Sequence, residues 1–223
     1  MIEKVFSLGY PFHLLIVDDG SPDGTADLIK AQQLLYEDRL FLLERSGKLG
    51  LGTAYIAGFR WGLEREYEFF FEMDADFSHN PEDLIRLLEA CSKRKADLAV
   101  GSRYVRGGKL INWPADRVFL SIGASLYVRL ITWMPVKDPT AGFVCYKREV
   151  LKSIDLNKIR FVGYAFQIEM KFAARSLGFC IEEVPITFTD RAEGASKMSK
   201  GIVREAILGV LQMRWRSFFN SYA

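Results

Sequence analysis

The chain has 223 residues, 49% of them hydrophobic and 26% charged, with a formal net charge of +2. That balance suits one large or two small globular domains with a sizeable core, and excludes nucleic-acid binding by bulk charge, so any charge chemistry must be local. Cys91, Cys145 and Cys180 are odd in number, far apart and without CxxC spacing, which argues against a disulfide framework or a thiolate zinc site and suits a reducing compartment; with only His13 and His79, a histidine-rich metal site is excluded as well.

The chain opens on an amphipathic stretch rather than a basic segment followed by an apolar run, so no signal peptide is expected. "FHLLIV" (Phe12–Val17) is wholly apolar and ends in turn residues, the pattern of a strand buried on both faces. The acidic stretch that follows, "VDDGSPDGTADLIK", invites comparison with a calcium loop. Counted from Asp19 it places Ser21, Asp23, Gly24 and Asp27 suitably, but Lys30 stands where the bidentate carboxylate must be, and the stretch follows a strand instead of a helix. Ser21 to Thr25 then read as the turn and cap of the next helix.

Further buried-strand runs are "RLFLLE" (Arg39–Glu44), "EFFFEM" (Glu68–Met73) and "ADLAVGS" (Ala96–Ser102). Helical segments lie between them over about Thr25–Leu35, Thr53–Arg65 and Pro81–Lys93. The last has Asn80 as cap, Pro81 at the first helical position, and Glu82 and Asp83 in the first turn. Such alternation predicts a mostly parallel, Rossmann-like sheet flanked by helices, with ligands at the carboxyl ends of its strands. Asp18–Asp19 and Asp74–Asp76 both sit at that edge. "GKLGLGTA" lacks GxGxxG spacing and an acidic ribose partner, and no GK[ST] occurs, which disfavours dinucleotide and P-loop readings.

"FFFEMDADFSHNP" carries the sharpest signal. Two aspartates one residue apart at a buried strand end are costly unless a cation neutralises them. A divalent ion with hard oxygen ligands would do so and could bridge a diphosphate; a solvated strand-end turn is the plainer alternative. After Gly108 the rhythm changes. A long Arg-dotted apolar segment (about Ala115–Met134) precedes "TAGFVCY", a helix (about Tyr164–Leu177), the expected strand "FCIEEVPITF", a polar loop and a final helix. No uninterrupted apolar run reaches the roughly 20 residues of a membrane span.

In order along nearly the whole chain stand "VDDGSPDGT", "GLGTAYIAGF", "MDADFSHNPEDL", "GSRYVRGG", "DPTAGFVCY", "GYAFQIEM", "EVPITFTDR" and "EGASK". Together they resemble the family-2 glycosyltransferases of GT-A fold, and within them the polyprenol-phosphate (dolichol-phosphate) mannose synthases. The resemblance implies one GT-A domain over residues 1–223, with a nucleotide-sugar and metal half (1–108) and an acceptor half (109–223). It implies inverting transfer of mannose from GDP-mannose to a polyprenyl phosphate with Mg2+ or Mn2+. By matching positions, Asp74 and Asp76 hold the metal, Asp76 being catalytic. Arg103, Arg117 and Arg191 are catalytic phosphate-binding groups, joined by Lys197. Asp18 and Asp19 lie at the nucleotide, and Gln167 and Glu169 near the acceptor, with a structural role the equal alternative for these two. Ser78 stands where some relatives carry Gln near the metal.

The implied partners are the nucleotide sugar, the lipid phosphate, a membrane surface and a small membrane-anchoring protein, with no nucleic acid. Ala115–Met134 and the terminal "GIVREAILGVLQMRWRSFF" could lie in a bilayer interface or pack into the core; peripheral attachment on the cytoplasmic face is expected. The family opens with a strand ending in a "PTYNE"-like segment, which is absent here. An open sheet position beside the "DDGSPDGT" loop and weak nucleotide binding are therefore expected. The same chemistry with UDP-glucose, or a non-catalytic GT-A-like binding protein, are the alternatives.

Overall fold

The computed structural model describes residues 1–190, 200–219 and 222–223. The alternating runs form the expected strands and helices, but the strands over residues 14–18 and 40–44 are only partly buried along most of their length instead of buried on both faces. Helix α1 (Ile2–Phe6) precedes β1 (Leu14–Asp18), α2 (Thr25–Gln33), β2 (Leu40–Glu44), α3 (Leu51–Leu63), β3 (Phe69–Glu72), α4 (Asp83–Ser92) and β4 (Leu98–Ser102). Strand β4 is buried at every position, as its unbroken apolar run requires. Helix α4 starts two residues later than its capping pattern predicts. Asn80 Oδ1 instead accepts the Glu82 amide at 3.2 Å and forms a turn ahead of the helix.

The second half supplies β5 (Lys109–Ile111), α5 (Ala115–Thr132), β6 (Val144–Lys147), α6 (Arg148–Ser153), α7 (Ala165–Ser176), β7 (Ile181–Pro185), β8 (Thr187–Thr189) and α8 (Lys200–Arg216). The principal sheet has the order β3-β6-β4-β7, and β6 runs antiparallel to both neighbours. "TAGFVCY" thus hides a reversed strand. Its cause is topological: the chain leaves β4 at the carboxyl edge, travels through α5, and re-enters with Val144 opposite Glu72 and Val100. Strands β5 and β8 make a small parallel ribbon, bridged by His79 and Phe188 to the loop after β3.

Strands β1 and β2 pair in parallel as a separate two-stranded sheet. No described strand joins this pair to the principal sheet, which leaves a break between the two sheets. His13 Nδ1 and Tyr67 Oη, 2.7 Å apart, and an edge-on Phe12–Phe71 contact span it.

Two apolar clusters flank the principal sheet. The larger runs from Phe59 and Phe70 through Tyr146 and Phe166 to Val210, Met213 and Tyr222; the other unites Val5 and Leu87 with Phe143, Val184 and Ile186. Each draws on both halves of the sequence. At about 1.5–3 kcal/mol per fully buried large side chain, these clusters dominate the stabilising terms. Gly62 lets α3 lie on β3: a Cβ there would stand 2.5 Å from Phe70 Cε1.

Candidate active site

Strand β3 delivers Asp74 and Asp76 to the carboxyl edge of the principal sheet, both half-buried. His79 folds back beneath them. The Asp74 amide donates to its Nδ1 at 3.2 Å, which places the ring proton on Nε2. The imidazole stacks on Phe143 and meets Phe188 edge-on. Burial, then the positive field of Arg103, lowers its pKa to about 4, so it stays neutral. Asp76 Oδ1 accepts the Ser78 amide at 3.0 Å and the Ser78 hydroxyl, which fixes the turn.

The basic side is assembled from elements distant in sequence. Arg103, just past β4, is nine-tenths buried and clamped by Asp138: its amide and Nε donate to Oδ2 at 3.0 and 2.7 Å, and Nη2 donates to Oδ1 at 2.6 Å. Nη2 also donates to Thr140 Oγ1. The guanidinium lies over Trp113 and Phe188 at 5.5 and 5.6 Å from the ring centroids, while Arg117 stacks closer on Trp113, at 4.0 Å, and pairs with Asp190 at 2.8 Å. These arginines therefore share one aromatic wall with the His79 ring that underpins Asp74. Arg191 and Lys197 lie outside the described residues.

At the end of β1, Asp18 Oδ2 accepts the Gly20 and Ser21 amides, each at 3.0 Å. Hydrogen bonding from the Ser21 side chain and these amides holds its pKa below the ordinary carboxylate range. Asp19 is gripped bidentately by Arg45 at 2.6 and 2.7 Å, and Arg45 also donates to Thr53 Oγ1 at the start of α3. Desolvation, then the negative field of Glu72, Asp74 and Asp76, raises the pKa of partly buried Tyr55 on the same helix well above 10.

Gln167 and Glu169 sit differently from the substrate-facing groups the resemblance implies. Both are buried on α7. Glu169 accepts the Arg160 and Phe161 amides at 2.8 and 3.0 Å and pairs with Arg216 of α8 at 3.5 Å. Gln167 Oε1 faces Lys171 Nζ at 3.3 Å. Sequence reasoning passed over Arg45, Glu72, Trp113, Asp138 and Lys171. The "DPTAGF" run was visible, but nothing in it announces that its aspartate holds an arginine.

The donor set fits a hard divalent ion. Among the described residues no group of three or more His, Cys, Asp or Glu could form a protein-only cage. Two neighbouring carboxylates instead suit an ion that keeps waters and takes its remaining oxygens from a diphosphate.

The fold and its carboxyl-edge aspartates define the class: a GT-A glycosyltransferase. The chain belongs to glycosyl transferase family 2, whose model matches residues 1–155. It is 50% identical over 200 residues to the polyprenol monophosphomannose synthase of Mycolicibacterium smegmatis, covering 90% of this chain and 75% of that one. It is 52% identical over 207 residues to the undecaprenyl-phosphate mannosyltransferase of Micrococcus luteus, covering 91% and 84%. Among solved structures, glucosyl-3-phosphoglycerate synthase from Mycobacterium tuberculosis, in complex with phosphoglyceric acid, superposes with a TM-score of 0.63 at 18% identity, covering 91% of this chain and 69% of that one. The same enzyme with Mn2+, UDP-glucose and glycerol 3-phosphate gives 0.60 at 17%, covering 90% and 68%. These last likenesses bear on the fold alone.

Proposed function

We propose that this chain transfers mannose, with inversion, from GDP-mannose to the phosphate of a polyprenol. The observation that carries the reading is the pairing of half-buried Asp74 and Asp76 with Arg103 and Arg117 across one aromatic wall, in a chain half-identical to two enzymes named for polyprenyl-phosphate mannose chemistry.

An acceptor phosphate monoester is largely dianionic near pH 7, its second pKa being about 6. It needs no general base, and none is assigned. One of its oxygens attacks the anomeric carbon as the bond from that carbon to the diphosphate breaks, and the bonding pair leaves with GDP. The divalent ion that Asp74 and Asp76 would hold supplies charge neutralisation for the departing diphosphate. Arg103 and Arg117, with Arg191 and Lys197, bind the phosphate oxygens and offset the repulsion between two anions. Asp18 and Asp19 contact the nucleotide; Arg45 fixes Asp19 for that role. Gln167 and Glu169 act as buried supports of the acceptor half.

We place both halves, 1–108 and 109–223, in one domain, consistent with clusters that cross the boundary. We also place the chain peripherally on the cytoplasmic face of a membrane. No described helix is long and apolar enough to cross one. Helix α5 exposes Phe119, Ile122, Leu126, Leu130 and the following Trp133 at helical spacing. Leu208, Leu211 and Trp215 of α8, with Phe218 beyond it, form a second stripe. Arg214 over the Trp133 ring joins the two helices. Residues 117–134 and 207–219 contain no acid, as contact with an anionic lipid surface requires.

The test is incubation with Mn2+ or Mg2+, a polyprenyl phosphate, and radiolabelled GDP-mannose or UDP-glucose. Lipid-extractable label from GDP-mannose alone is expected. Label from UDP-glucose alone would reassign the sugar, and no label from either would sink the enzymatic reading.

A further inference from the structure

Beneath the site lies a knot of buried polar groups that none of the roles above uses. Glu72, the last residue of β3, is fully buried, and neither carboxylate oxygen receives a hydrogen bond from the described residues. Tyr146 Oη and Gln167 Nε2, near enough to that carboxylate to favour its charge, are likewise buried and unpartnered. Lys171, equally buried on α7, supplies the positive field acting on Glu72. Burial pushes the Glu72 carboxyl up to about 7, and the positive field of Lys171 pulls against that rise.

Lys171 has a second attachment. Its Nζ donates to the Ala141 carbonyl at 2.7 Å and to the Gln167 carbonyl at 3.0 Å. Ala141 closes the segment Lys137–Ala141, whose Asp138 and Thr140 hold the Arg103 guanidinium. On its other flank the segment hangs from β7, where Glu183 accepts the Lys137 and Asp138 amides at 2.7 and 2.9 Å. Glu72 stands two residues before Asp74 in the chain. The ammonium group therefore acts on the cradle of Arg103 through a hydrogen bond.

We infer that Lys171 is a positioning residue that sets Arg103 against the Asp74–Asp76 pair by tethering the Lys137–Ala141 segment to α7. It touches no substrate. Its effect reaches the acceptor phosphate through Arg103, so the inference rests on the function proposed above. Nucleotide contacts at Asp18 and Asp19 hang on β1, Arg45 and α3, and are independent of it.

The test compares wild type with Lys171→Met and with Glu72→Gln/Lys171→Met. The single variant removes the tether together with the cation that favours the Glu72 carboxylate, and is expected to be less stable than wild type. The double variant removes both charges, retains similar volumes, and isolates the lost tether to Ala141. Calorimetry with a short-chain polyprenyl phosphate and, separately, with GDP-mannose and Mg2+ gives the two affinities; steady-state assays give both KM values and kcat. In the folded double variant the acceptor Kd and KM should rise at least tenfold, with the donor values within twofold of wild type. Acceptor values also within twofold would overturn the inference. So would equal losses for donor and acceptor, since that marks a general packing defect. A wild-type chain that binds neither ligand fails at the proposed function itself, a result distinct from either.

Discussion

Both oxygens of the Asp138 carboxylate face Arg103: Nε donates to one at 2.7 Å and Nη2 to the other at 2.6 Å. Asp138 is wholly buried and the Arg103 side chain nearly so. Two long-range consequences follow from this single pair, one for stability and one for the chemistry.

Asp138→Asn keeps the shape of the clamp and removes its charge, leaving a buried guanidinium without a counter-ion. Breaking a buried pair in this way costs about 3–5 kcal/mol. The melting temperature should fall by roughly 10 °C for a chain of this size. In the protein that remains folded, acceptor KM should rise about tenfold or more, because Arg103 loses its fixed orientation. Calorimetric melting with steady-state assays at saturating donor checks both effects.

Asp76→Asn separates the turn from the charge. The amide oxygen can still accept from the Ser78 backbone, so the loop should persist and the melting temperature should change by only a few degrees. The second carboxylate of the proposed metal pair is gone, and mannosyl transfer should drop to background with loss of Mn2+ binding by titration calorimetry. Near-normal transfer would remove Asp76 from the metal site.

What the sequence displays and what it conceals divide along a physical line. The strand and helix alternation through residue 102 is legible because strands packed under helices carry unbroken apolar runs, and Asp74 and Asp76 are legible because two acids one residue apart at a buried strand end need an explanation. Arg103's partner is not legible, since Asp138 lies 35 residues away and a pair formed across the fold leaves no periodic trace. The same holds for Lys171, which looks like an ordinary helix lysine until its helix proves buried on nearly every side. Strand β6 escaped because direction is set by the route of the chain, not by residue pattern. Gln167 and Glu169 were drawn toward the acceptor by resemblance, whereas their hydrogen bonds run inward to Lys171 and to α8.

His79 makes the fold sensitive to acid. Burial and the field of Arg103 hold its folded-state pKa near 4, against upward pulls from Asp76 and Asp138, while the unfolded chain takes up the proton near 6.5. Between these values the unfolded state binds more protons, so stability contributed by neutral His79 is full above pH 6.5 and is lost as pH falls toward 4. The loss amounts to about 3 kcal/mol. Urea unfolding of chelator-treated protein at intervals from pH 7 to pH 4 should show this slope. His79→Gln, which can still accept the Asp74 amide, should flatten it; an unchanged slope would show that other groups set the acid limb.

The α5 and α8 stripes make a prediction about where the protein works. Leu126 and Leu130 are 51% and 64% exposed and lie one turn apart on α5, away from the buried Ser125, Val128 and Thr132 face. Leucines so placed contribute little to the core, so Leu126→Ser/Leu130→Ser should lower the melting temperature by only a few degrees. If the face enters a bilayer interface, each leucine adds about 1.5 kcal/mol or more of apolar burial there, and removing both should weaken binding to anionic vesicles roughly a hundredfold. Flotation with phosphatidylglycerol-containing liposomes at low salt measures this directly. Transfer to a short, water-soluble prenyl phosphate should stay at the wild-type rate in the same variant, because Arg103, Arg117 and the aspartate pair are untouched. Equal loss with both acceptors would place the stripes in the protein's own packing, whereas loss confined to the membrane-embedded acceptor ties the exposed helices to the surface on which that acceptor resides.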